Sequence, residues 1–203
     1  MYSYDELLPY KQQDDLVRLT LSVAPTVEPI TKTEVKRHLA IAESDTSNDN
    51  ELDVLIESAR LKLEEDTGLA VISQTYTQVF PVFADGLRLA RKPISSVSSI
   101  SYYDGGNASQ TLSTDVYAFD ASTQQIRLKA DQSWPDVYSR WDAITVTFVA
   151  GYANAAAVPA NIKHALLTLC AFYFDLDRGD NPNPPMPRTY YNLITNVTRA
   201  TYP

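Results

Sequence analysis

Ile30-Thr31-Lys32-Thr33-Glu34-Val35-Lys36-Arg37-His38-Leu39 is the stretch from which the rest of this chain is read. Thr31 and Glu34 stand three apart, the spacing of a capping box. Each side chain can satisfy a backbone N–H that the first helical turn leaves unpaired. A helix therefore starts at Thr31, with Val35, Leu39 and Ala42 on one face. A polar break, 44–50, separates it from a second apolar series at Leu52, Leu55, Ile56, Ala59 and Leu63. Steps of three, four and seven place that series on one stripe of a helix. Gly68 follows as the residue that tolerates the left-handed conformation at a helix end.

Downstream the period changes from 3.6 to two. Thr75–Phe80, Leu87–Leu89, Val97–Tyr103, Val116–Phe119, Gln125–Leu128 and Ile144–Phe148 read as strands, rich in Thr, Val and Tyr. Asp104-Gly105-Gly106-Asn107 reads as a hairpin turn in which the glycines take positive φ. Leu19–Val23 alternates like a short strand near the start. Pro159 then introduces a third helix, whose stripe is Ile162, Leu166, Leu169, Cys170 and Tyr173. Two helices, a strand block and a third helix give an α+β fold. Its expected form is a small three-helix core, with Leu55, Ile56, Leu166 and Leu169 buried, and a β-rich insertion between the second and third helices.

The expected boundaries are 1–30 for an extended N-terminal arm, 31–68 and 153–176 for the two parts of the helical core, 69–152 for the insertion, and 177–203 for a C-terminal docking arm. The last segment is proline-rich from Gly179 to Pro187, hence extended. A short helix follows, with Tyr190, Leu193, Ile194 and Val197 on one side. Left exposed on a free monomer, such groups favour burial in a partner. Six of the 13 tyrosines lie in the two tails, at Tyr2, Tyr4, Tyr10, Tyr190, Tyr191 and Tyr202. Tyrosine offers large contact area with few rotatable bonds, which suits a docking segment.

With 203 residues, 44% hydrophobic and 21% charged, the chain can bury an ordinary core. A net charge of −8 argues against general nucleic-acid binding, which needs a basic patch to displace counterions. Cys170 is the sole cysteine, so it forms no intrachain disulfide and contributes to no cysteine-based zinc site. His38 and His164 lie on different helices without a ligand motif, and no nucleophile elbow, phosphate-binding loop or dinucleotide turn is present. The acids Glu51, Asp53, Glu57, Glu65 and Asp66, with Lys62, read as a solvated helix face. The expectation is a protein without catalytic, metal or cofactor-binding residues, and without a membrane span.

The quoted stretch, with Leu55–Arg60, Glu65–Gly68, Ile72–Tyr76, Arg91–Ile94, Val97–Asp104, Ser133–Pro135, Val146–Tyr152 and Val158–Pro159, resembles the head–tail connector (adaptor) proteins of tailed bacteriophages. The likeness runs over residues 19 to 176 and rests on the order and spacing of packing and turn signatures. It implies a structural virion protein in the neck, assembled in the host cytoplasm. Such a protein forms a dodecameric ring around a DNA channel, with the portal protein on one side and a stopper or tail-completion protein on the other. DNA passes without sequence-specific contacts. The likeness also implies that the C-terminal arm, through Tyr190, Tyr191, Leu193, Ile194 and Val197, reaches the portal. The alternative is a β-rich receptor- or carbohydrate-binding module, with Trp134, Tyr138 and Trp141 as a sugar platform.

Overall fold

The computed structural model describes residues 18–84, 86–176 and 184–201, except for the side chains of Leu176 and of residues 196–201. The lead-in through residue 17 and the proline-rich stretch up to 183 lie outside the described residues. The chain divides into two compact units. One, β-rich, comprises Met1–Ala24, Gln74–Ala90 and Ile94–Ala150; the other, helical, comprises Pro25–Ser73, Arg91–Pro93 and Gly151–Pro203.

The helical unit begins at helix α1, Lys32–His38, and its cap is the one the sequence requires. Thr31 Oγ1 accepts from Glu34 N at 3.2 Å, while Thr31 N donates to Glu34 Oε2 at 2.6 Å. The helix ends sooner than its apolar spacing suggests. Leu39 N donates to Val35 O at 2.9 Å, and Ala40 then turns to φ 57. Ala42 therefore lies beyond the helix and does not share the Val35–Leu39 face. Helix α2, Asp49–Thr67, closes on Gly68 at φ 71, whose N–H reaches Glu64 O at 3.0 Å. Helix α3 spans Ala160–Leu176 and α4 spans Arg188–Thr201. Pro159 O takes the N–H groups of Ile162 and Lys163 at 3.0 and 3.1 Å, starting α3.

These helices meet in one apolar cluster, in which Leu55 is 6%, Ile56 3%, and Leu166 and Leu169 0% exposed. Each such side chain stabilises the fold by about 1.5–3 kcal/mol relative to leaving it in water. The cluster also contains Tyr190 and Ile194 of α4, which corrects the three-helix expectation. Four residues apart, they share one helical face, and that face closes over the helical unit itself. The core has four helices.

In the β-rich unit, a five-stranded antiparallel sheet has the order β1-β2-β8-β4-β5, and a three-stranded one the order β3-β7-β6. Their strands are β1 Arg18–Val23, β2 Gln74–Phe80, β3 Leu87–Arg88, β4 Ile94–Tyr103, β5 Ser109–Thr111, β6 Tyr117–Asp120, β7 Gln125–Leu128 and β8 Ile144–Ala150. The centre is the β2–β8 ladder, unbroken from Gln74↔Ala150 to Phe80↔Ile144, with alternate residues buried on both strands. Tyr76 stacks on Phe148 there at 5.8 Å. Residues 18–23 form the edge strand on β2, as the alternation of Leu19–Val23 leads one to expect, although they lie within the segment read as an N-terminal arm; Leu19 stands opposite Gln78 and Leu21 opposite Tyr76.

The β4–β5 turn forms where expected but by another device. Asp104 Oδ1 accepts the N–H groups of Gly106 and Ala108, both at 3.0 Å, and positive φ falls on Asn107 at 63 rather than on either glycine. The carboxylate substitutes for backbone partners, so the glycines need no unusual conformation. Gly151 does need one. At φ +109 its N–H reaches Pro93 O at 2.7 Å, and a Cβ there would lie 2.2 Å from Ile72 O. Only glycine permits that approach.

Candidate functional site

Helix α2 organises the chemistry of the helical unit, because its two sides carry different residue types. On the inner side Arg60, one turn beyond Ile56, enters the apolar cluster with its charge intact. Arg60 Nε donates to Glu28 Oε2 at 2.8 Å and Nη1 to Glu64 Oε2 at 3.3 Å. Burial opposes the guanidinium charge. The hydrogen bond that Arg60 donates to Glu28 and the charges of Glu28, Glu64 and Glu57 outweigh it, and the Arg60 pKa lies above its ordinary value. Glu64 Oε1 accepts Val71 N at 2.8 Å, and Arg91 Nη1 caps α2 through Glu64 O at 2.7 Å. Removing one member of a buried ionic group strands the other, at about 3–5 kcal/mol. This knot holds a fold together and activates nothing. A signal existed in the sequence: Arg60 and Glu64 continue the four-residue spacing of the apolar stripe from Ile56.

The outer side of α2 is different. Val54 and Leu61 are 62% and 52% exposed, seven residues apart and therefore almost in line along the helix. Glu57 and Glu65 flank them, both largely in solvent. Seven acids against two bases over Asp49–Thr67 make this an acidic helix with an aliphatic ridge. The solvated-face reading missed the ridge, although two large aliphatics out of phase with the buried stripe announce it.

The acids of α2 are not all solvated. Asp66 Oδ1 accepts from Lys62 Nζ at 2.6 Å, and Oδ2 accepts from the Tyr190 hydroxyl at 2.7 Å. Burial first, and then the Asp66 bond, raise the Tyr190 pKa far above its ordinary value. Of the residues expected to contact a portal, Tyr190 and Ile194 are thus turned into their own core. Leu193 packs partly against it, Tyr191 is 52% exposed, and the Val197 side chain lies outside the described residues.

His38 and His164 come together from α1 and α3, their rings edge to face with centroids 6.4 Å apart, both residues exposed. Among the described residues no group of three or more His, Cys, Asp or Glu could hold a metal ion. Cys170 is buried, directs its Sγ–H to Leu55 O at 3.8 Å, and has its thiol pushed up to about 12, by burial first and then by Glu28. A thiol so far from ionisation is no nucleophile at neutral pH. No described helix is long and apolar enough to cross a membrane.

In the β-rich unit the three aromatics of the expected sugar platform do not assemble one. Trp134 stacks flat on Phe83 at 4.6 Å, and Phe83 meets Tyr102 edge on at 6.1 Å. Trp141 is 61% exposed with the Arg18 guanidinium 5.1 Å above its ring. Tyr138 is exposed, its backbone N–H bonded to Tyr103 O at 2.9 Å. Trp134 and Trp141 each already have a protein group on a face that a sugar would use.

Neither a protein-family model nor a curated protein matches this sequence. Solved structures do match. A chain of "Virion of native gene transfer agent (GTA) particle" is 20% identical, with a TM-score of 0.70, over 88% of this chain and 94% of that one. A chain of "Neck of empty GTA particle computed with C6 symmetry" is 20% identical at TM-score 0.71, covering 89% and 94% respectively. A chain of "Neck of native GTA particle computed with C12 symmetry" is 20% identical at TM-score 0.67, covering 89% and 93%. The α+β architecture described above is the fold of these particle-neck chains.

Proposed function

We propose that this chain is a structural head–tail connector subunit, one copy in a closed ring in the neck of a tailed particle. The observation that carries the proposal is the likeness to neck chains solved with sixfold and twelvefold symmetry, over nearly the full length of both chains. A ring in that position joins the portal protein on one side to a stopper or tail-completion protein on the other, and twelve copies suit the symmetry. Its lumen passes DNA. The net charge of −8 supports that role, since a negative field repels the phosphate backbone and lets a duplex slide. The working parts are packing surfaces, and no residue acts as a catalyst. Portal contact falls to the exposed side of the C-terminal segment, with Tyr191 as its aromatic anchor, while Tyr190 and Ile194 hold that segment to the core.

A low-resolution reconstruction of particles carrying this chain tests the proposal. The expected result is a ring of copies between head and tail, with each Tyr191 facing the portal. Density in a peripheral fibre, or single copies away from the neck axis, would overturn it.

A further inference from the structure

The tip of the β4–β5 hairpin holds a self-reactive pair of residues under restraint. Asp104 precedes Gly105, which is exposed and has no side chain to shield its nitrogen; even a Cβ built there would meet nothing within 4 Å. In an open chain such a pair reacts with itself. The Gly105 nitrogen attacks the Asp104 carboxyl carbon and gives up its proton, one carboxyl oxygen leaves as water, and a five-membered imide forms. Water then reopens the imide at either carbonyl. One route returns aspartate, and the other leaves isoaspartate, in which the main chain runs through the side-chain carboxyl carbon. The sequence of steps needs no enzyme and no reactant besides water.

The fold opposes the first step at both reacting atoms. Asn107 N donates to Asp104 O at 2.7 Å, which fixes the plane of the Asp104–Gly105 peptide and with it the Gly105 nitrogen. Asp104 N donates to Ala108 O at 2.9 Å, and the residue bridges Val137. The carboxylate is tied down as well: Oδ1 accepts from Gly106 N and Ala108 N, both at 3.0 Å, and Oδ2 from Gln110 Nε2 at 2.8 Å. Those bonds, Gln110's first and then Ala108's, hold Asp104 below the ordinary carboxylate range. The ionised form is the unreactive one, because it lacks the proton with which an oxygen leaves as water. We propose that Asp104–Gly105 is a latent isoaspartate site, held shut by the hairpin that it turns. Once formed, isoaspartate adds a methylene to the main chain and shortens the side chain. Gly106 and Ala108 then lose their acceptor, and β5, three exposed residues at the sheet edge, loses the turn that returns it to β4. This inference is independent of the ring reading.

Ageing the full chain in warm neutral buffer, with and without urea, tests it, with isoaspartate read by peptide mapping. Mapping also separates Asp104 from Asp85, which likewise precedes a glycine. The folded wild type accumulates isoaspartate at 104 about tenfold or more slowly than the unfolded chain. Gln110→Ala, which frees Oδ2, accumulates it severalfold faster than wild type while circular dichroism shows it folded. Asp104→Asn isolates the geometric restraint, since an amide closes the same imide by losing ammonia and needs no carboxyl proton. Folded, this variant keeps its amide; in urea it loses it. Equal rates in the folded and unfolded chain, for wild type or for Asp104→Asn, overturn the proposal. So does a folded Gln110→Ala that ages no faster than wild type.

Discussion

Tyr190 commits a whole segment with one side chain. Its ring is fully buried and its hydroxyl bonds to Asp66, a carboxylate 124 residues earlier that is also held by Lys62. Tyr190→Phe keeps the packing and removes only that bond. The expected loss is about 1.5 kcal/mol, the scale of a hydrogen bond to a charged group, since Asp66 keeps Lys62 and some water. A lower urea midpoint at unchanged slope, followed by helix dichroism, checks it. Glu34 makes the second residue-scale case. Burial works to raise its pKa, but the hydrogen bonds from Thr31 and the charges of Lys163 and Arg37 prevail and hold it below the ordinary 4.5. A depressed carboxylate contributes stability above its unfolded pKa and loses that contribution as pH falls through the folded value. Glu34→Gln therefore melts below wild type near about pH 7, and the gap closes as pH drops below 4.5. A gap constant from pH about 7 to about 3 would show that the cap carries no charge contribution.

At the scale of elements, what could be read from the sequence was what neighbours in sequence decide. The Thr31–Glu34 cap, the α2 stripe, Gly68, the start of α3 and the alternation of β2 and β8 all follow from residues within a few positions of one another. The premature end of α1 did not, because the left-handed turn falls on Ala40, with none of the glycine or asparagine that ordinarily marks a helix end. Strand β5 is three exposed polar residues with no pattern, a strand only because β4 lends it a ladder. The role of α4 was misread for the same reason at longer range. Its amphipathic face was visible, but whether it closes over its own core or over a partner depends on distant Asp66. Ending the chain after Pro187 thus removes Tyr190 and Ile194 from the core. The expected result is a cavity-ridden helical unit with a melting temperature lower by many degrees, as fits the loss of about 3–5 kcal/mol for one large aromatic alone. An unchanged melt would show that α4 is dispensable to the core.

The exposed features of the helical unit were half legible at the scale of the whole molecule. Val54 and Leu61 could be seen to miss the buried stripe, but the meeting of His38 with His164 could not, since it depends on α1 packing against α3. The two-unit division was equally hidden in part: the strand block reads as an insertion, yet β1 joins it from the chain's beginning and Arg91–Pro93 belongs to the helical unit. The ladder that closes the insertion has a consequence for anyone wishing to shorten this protein. Gln74 and Ala150 sit opposite each other, and one residue outward Ser73 N donates to Tyr152 O at 3.0 Å. The chain departs and returns through adjacent positions, so Ser73 can be spliced to Gly151 with scarcely any added linker. What such a miniature forfeits is a three-residue staple: Arg91 at the end of α2, Lys92 O on Ala70 N, and Pro93 O on Gly151 N. A minimal helical unit would need that staple rebuilt, from a short loop returning the same carbonyls, before it could stand alone.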